Sequence, residues 1–191
     1  LLRPLNMSPG TPGRGANLFE TQTGKRILVM NVLGLVHMAS MDDPFGAVDR
    51  QLESCPLGLA ADAIVVDMHA EATSEKMAMG HFCDGRATLV VGTHTHVPTA
   101  DAQILPHGTA YQTDAGACAD YDSVIGMDKE EPLRRFTPRI GKERYRPASG
   151  PATICGVYVE SDDRTCLATR IEPIRIGGRL SQSLPKVLVS V

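Results

Sequence analysis

Three of the six histidines, His69, His94 and His96, directly follow short apolar runs: Val65-Val66-Asp67-Met68-His69 and Val90-Val91-Gly92-Thr93-His94-Thr95-His96. Neutral imidazole suits zinc, manganese and iron. A His-x-His pair in extended backbone presents both rings on one side, because side chains there alternate with a period of two. A third ring from a neighbouring strand end would complete one face of a metal or be shared between two. Gly92 would let the backbone turn sharply beside a metal or a phosphate, and Thr93 and Thr95 offer hydroxyls to ligand oxygens. His37, His81 and His107 lack such surroundings and read as structural or surface residues.

A dinuclear hydrolytic centre also needs a bridging carboxylate to hold two cations roughly 3.5–4 Å apart. The candidates are Asp67, Glu71, Glu75, Asp84, Asp101 and Asp114, and none has a decisive spacing. Asp67 could bridge, could fix a histidine tautomer from behind, or could be an ordinary strand-end residue. Glu75 and Lys76 read most simply as a solvated helix start, and Asp114, before Ala115-Gly116, as a turn residue or a site residue. Asp67, Glu71, Thr93, Thr95 and Asp114 are therefore carried as candidates for touching substrate or supporting the ligands. There is no Gly-x-Ser-x-Gly elbow, Walker A loop or Gly-x-Gly-x-x-Gly after a strand, which disfavours serine hydrolase, P-loop and dinucleotide-binding chemistry.

The elements that must position these residues follow from periodicity. Lys25–Val32 is a short apolar run of the kind found in a strand buried on both faces, residues 62–68 form a second apolar strand and Ala87–Gly92 a third. Asp42-Asp43-Pro44 caps a helix running to about Ser54. Thr73 can cap a second that ends by Gly85, with Glu75 at its positive dipole end. Gln103–Thr113 reads as a hairpin turning at Pro106-His107-Gly108, Asp128–Phe136 as a helix interrupted early by Pro132, and Ala152–Glu160 with Thr165–Ile176 as a terminal hairpin. Strands alternating with helices, then antiparallel strands, predict an α/β or α+β layered fold with a mixed sheet. In layered α/β folds the carboxyl ends of the strands line the site, which is where the three histidines fall.

The chain has 191 residues, 42% of them apolar, a net charge of −3, five cysteines and no tryptophan. One domain over residues 1–191 with a sizeable core is expected, without disorder. The longest apolar stretches fall far short of the roughly 20 residues of a membrane span, and no secretory signal opens the chain. A cytoplasmic protein with reduced, mostly buried thiols is expected. No basic cluster marks a duplex nucleic-acid surface. Residues 1–24 read as loop or linker, because Arg3–Gly15 carries three prolines and three glycines. With no initiating methionine, this opening is read as the middle of a longer protein, some of whose site residues would lie upstream. Exposed sheet edges in such a piece would favour self-association.

The segments His69-Ala70-Glu71-Ala72-Thr73-Ser74-Glu75-Lys76, Asp84-Gly85-Arg86-Ala87 and Val91-Gly92-Thr93-His94-Thr95-His96-Val97, with Thr99-Ala100-Asp101, resemble the YmdB-type branch of the calcineurin-like metallophosphoesterases. Arg3-Pro4 with Gly10-Thr11-Pro12-Gly13, Asp42-Asp43-Pro44-Phe45, Gly108-Thr109-Ala110-Tyr111, Thr113-Asp114 and Ile125-Gly126-Met127-Asp128 extend the likeness over nearly the whole chain. Leu35 departs from it, standing where relatives tend to carry a basic residue. The resemblance implies a four-layer α/β/β/α sandwich with mixed sheets, incomplete at its N-terminus. It also implies two divalent metal ions (Fe, Mn or Zn) and hydrolysis of phosphodiesters such as 2′,3′-cyclic nucleotides. His69 and His94 would ligate one ion and His96 the other. The remaining ligands and the general-acid histidine belong to an N-terminal portion absent from these residues, so this chain alone is expected to be inactive. A capsule-biosynthesis-type relative and a non-catalytic domain that kept the fold are the alternatives. The Ala-Glu-Ala-Thr-Ser-Glu-Lys run after His69 disfavours the first.

Overall fold

The computed structural model describes residues 1–38, 40–138 and 143–189, and its contacts divide the chain into two compact units. The first comprises Leu1–His94, Thr99–Asp114 and Val159–Ile171; the second comprises Thr95–Pro98, Ala115–Tyr158 and Glu172–Val191.

The first unit is built on a six-stranded mixed sheet of β1 (Ala16–Glu20), β2 (Arg26–Leu33), β3 (Ala63–His69), β4 (Leu89–Thr93), β5 (Gln103–Ile104) and β6 (Ala110–Gln112), in the order β1-β2-β3-β4-β6-β5. Its four central strands are parallel and its two edge strands antiparallel. β1 lies inside the stretch read as loop; its five residues follow a proline- and glycine-rich segment that obscures them, and pairing with β2 supplies their order. The parallel pairs β2–β3 and β3–β4 connect through helices, α1 (Pro44–Ser54) and α2 (Thr73–Cys83), the usual crossover for parallel strands, whereas β4 reaches its parallel neighbour β6 through the segment that carries β5.

Strands β2 and β3 are fully buried on one face only: Leu28, Met30, Val32, Ile64, Val66 and Met68 enter the core, and the residues between them are half-buried. The half-buried face carries Asn31 and Asp67, directly opposite each other in the parallel register. α1 begins as its sequence predicts, with Pro44 at the first turn and the Asp43 carboxylate accepting from the N–H groups of Phe45 and Gly46 at 3.0 and 3.1 Å. The second helix differs: Ala72 is its cap residue, without a side-chain bond, and Thr73 is already helical. Its inner face is Lys76, Met79, Gly80 and Cys83. Burial pushes the Cys83 thiol up to about 12, which makes it an inert packing group.

The second unit holds β7 (Ala119–Asp120), α3 (Glu130–Phe136), most of β8 (Ala152–Ser161), the end of β9 (Ala168–Ile176) and α4 (Lys186–Val189). β7, β8 and β9 form a three-stranded sheet in that order, and the turn end of the β8–β9 hairpin counts with the first unit. Pro132 does not interrupt α3, because it sits in the first turn, where no helical N–H partner is lost. Among the described residues, no helix is long and apolar enough to cross a membrane.

Candidate functional site

The parallel register places His69, the last residue of β3, directly opposite Thr93, the last residue of β4. The chain leaves β4 with His94 at φ +112°, a backbone shape rare for a residue with a Cβ. That turn brings the His94 ring edge-on to His69, with centroids 4.9 Å apart and His94 Nδ1 at 3.2 Å from His69 Nε2. Gly92 does not provide the turn. It stays within β4, and a Cβ there would overlap the Thr113 carbonyl.

His96 is placed otherwise than extended backbone predicts. The strand ends at Thr93 and His96 has φ +66°, so the two rings do not share one side of a β-segment by alternation. His96 belongs to the second unit, where its Nδ1 lies 2.9 Å from the Ile125 carbonyl and the Tyr121 hydroxyl donates to its own carbonyl at 3.0 Å. Thr95 turns onto Val97, accepting from its N–H at 3.4 Å. Among the described residues, no group of three or more His, Cys, Asp or Glu side chains is arranged to hold a metal ion.

Behind the His69–His94 pair stand the polar residues of the half-buried face. Thr93 Oγ1 lies 3.0 Å from His69 Nδ1 and donates to Asp67 Oδ1 at 2.7 Å, and Asn31 Nδ2 donates to Asp67 Oδ2 at 2.7 Å. Glu71 Oε2 lies 2.8 Å from His94 Nε2. Burial lowers the His69 pKa, and the neighbouring His94 lowers it further against the opposing charge of Asp67. Its neutral, lone-pair-bearing form is thereby favoured. Asn31 escapes the sequence reading, although one polar residue in each of two adjacent apolar runs is its signal.

Asp114 is no open turn residue: its Oδ2 pairs with Lys76 Nζ at 3.0 Å, both side chains buried. Nor is Glu75 solvated, since its carboxylate accepts from the N–H groups of Leu35 and Val36 at 2.8 and 3.4 Å and so clamps the loop that leaves β2 beside His69. His107 is the surface residue expected, its ring exposed and paired with Asp84 at 3.0 Å.

The donor set fits a divalent cation in part. Two nitrogens each about 2.0–2.1 Å from one ion are roughly 3.0–3.4 Å apart, the spacing His69 and His94 show. Two imidazoles are, however, an incomplete ligand set.

The model of the YmdB-like protein family matches residues 1–174. A 2′,3′-cyclic-nucleotide 2′-phosphodiesterase of Bacillus subtilis (strain 168) is 44% identical over 176 residues, which are 92% of this chain but 65% of that protein, so the chain spans less than two thirds of this relative. Among solved structures, a hypothetical protein from Thermus thermophilus superposes with a TM-score of 0.83 at 44% identity, covering 93% of this chain and 68% of that one. A novel phosphatase from Mycoplasma pneumoniae superposes with a TM-score of 0.81 at 34% identity, covering 99% and 66%.

Proposed function

The chain belongs to the YmdB-like protein family, and from that premise we propose that it is the histidine-bearing part of a phosphodiesterase that cleaves small phosphodiesters such as 2′,3′-cyclic nucleotides in the cytoplasm. The observation that carries the reading is the convergence of His69 Nε2 and His94 Nδ1, 3.2 Å apart at adjacent strand ends. His69 and His94 would hold one divalent cation (Mn, Fe or Zn), and His96 would serve a second. Bound there, such ions would polarise the phosphoryl group and make hydroxide available near neutral pH.

This chain's own residues fix the imidazoles and shape their surroundings. Asp67, Thr93 and Glu71 orient the rings, and Glu75 holds the Leu35–Val36 loop beside them. With two imidazoles as the convergent donors among the described residues, the chain by itself should bind metal weakly and turn over little substrate.

The test measures hydrolysis of 2′,3′-cyclic AMP and manganese affinity, in this chain and in a longer polypeptide matching the full span of the Bacillus relative. Activity confined to the longer protein, and abolished by His69→Ala or His94→Ala, is the expected result. Equal turnover by this chain alone, or metal uptake indifferent to both substitutions, refutes the reading.

A further inference from the structure

We propose that Thr93 is a positioning residue that fixes the tautomer of His69 and turns its bare Nε2 towards His94, whose ring Glu71 orients. The inference rests on the metal reading above and assigns what aims the donors. A threonine hydroxyl carries one proton. That proton is committed to Asp67 Oδ1 at 2.7 Å, and Asp67 is itself fixed by Asn31 through its other oxygen. Towards His69 Nδ1, at 3.0 Å, the hydroxyl can then only accept, so Nδ1 carries the hydrogen and Nε2 is bare. On the other ring, the Glu71 carboxylate can only accept, which places hydrogen on His94 Nε2.

The bare Nε2 of His69 therefore faces His94 Nδ1 across 3.2 Å. The Asp67–Thr93 relay in the strands holds the His69 ring from behind, and Glu71 in the following loop holds that of His94. Orientation of ligating imidazoles by carboxylate acceptors, direct or relayed, is worth about 10–100-fold in metal affinity.

The experiment reads the tautomers directly, by long-range proton–nitrogen NMR correlation of the metal-free chain at about pH 8.5, where ordinary imidazoles are neutral, and zinc affinity by calorimetry. Wild type should show His69 protonated on Nδ1 and His94 on Nε2. Thr93→Val should move His69 towards the Nε2-protonated form and weaken zinc by about 10–100-fold, with Thr93→Ser restoring both. Glu71→Leu, at a half-exposed side chain where folding is not at stake, should release His94 in the same way and leave the His69 tautomer as it is. His69 protonated on Nε2 in the wild type overturns the proposal, as does zinc affinity that ignores the tautomer change in Thr93→Val. A wild type with the stated tautomers, sensitive to Thr93→Val but taking up no zinc, upholds the relay and instead overturns the metal reading of the proposed function.

Discussion

Lys76 on α2 and Asp114 after β6 form a salt bridge of 3.0 Å in which each side chain is only 1% exposed. Two charges so deeply withdrawn are tolerable only together. Breaking a buried pair by removing one partner costs roughly 3–5 kcal/mol, because the survivor keeps its desolvation penalty and loses its compensation. Lys76→Met alone should therefore destabilise the chain by about that amount in urea denaturation. Lys76→Met combined with Asp114→Asn should recover a large part of it. A single variant within about 0.5 kcal/mol of wild type would show that the pair is not buried as described.

That bridge also marks how far the sequence could be read. The strand ends carrying His69 and His94, the Asp43-Pro44 helix start and the 103–113 hairpin were all legible, because each rests on local periodicity or turn chemistry. Lys76 and Asp114 are 38 residues apart, and a lysine near a helix start carries no local mark of burial. Glu75 was hidden for the same reason, its partners being backbone amides about 40 positions upstream. His94 and His96 fail the extended reading because both backbones turn to positive φ after the strand, which alternation cannot reveal.

Gly92 owes its identity to close approach and not to a turn. A Cβ at this position would overlap the Thr113 carbonyl and press on the Lys76 side chain, and backbone cannot move aside as a flexible side-chain end can. Gly92→Ala should push β4 from β6 and disturb the Lys76–Asp114 bridge, costing about 3 kcal/mol or more, at or beyond the upper end of ordinary overpacking. The measurement is the urea midpoint. Gly24→Ala is the comparison that controls for glycine removal in open space, although its φ of +81° makes that change strained as well. Equal losses at the two sites would refute the packing argument.

Acid should loosen the β5–β6 hairpin through Asp84. Partial burial alone would raise this carboxyl, but the N–H groups of His107 and Thr109 and the His107 ring outweigh it and hold the pKa below the ordinary carboxylate range. For a depressed carboxyl the stabilisation is complete above the unfolded value of about 3.9 and is lost as pH falls through the lower folded value. Melting temperatures followed from pH 7 down to about 2.5 should thus decline less steeply in Asp84→Asn than in wild type. Its stability at pH 7 should be lower, because Asn cannot accept at every position the carboxylate does. Parallel acid limbs in the two proteins would remove Asp84 as the cause.

The backbone at His94 supplies a test that separates stability from chemistry. A φ of +112° strains any residue with a Cβ, and strain of about 1–3 kcal/mol persists only where the surroundings impose it. If the ring is retained there for what its nitrogen does, replacing it should reveal the backbone cost. His94→Gly, free of Cβ strain, should be more stable than His94→Ala by about 1 kcal/mol even though glycine is the more flexible residue when unfolded. Both variants should lose zinc binding alike, since neither carries a donor. Denaturation and calorimetry on the two proteins check this together. Alanine equal to or more stable than glycine would show that the loop relaxes freely and that no strain is stored at the strand end, whereas the expected order places the stored strain on the residue whose ring closes the 3.2 Å gap to His69.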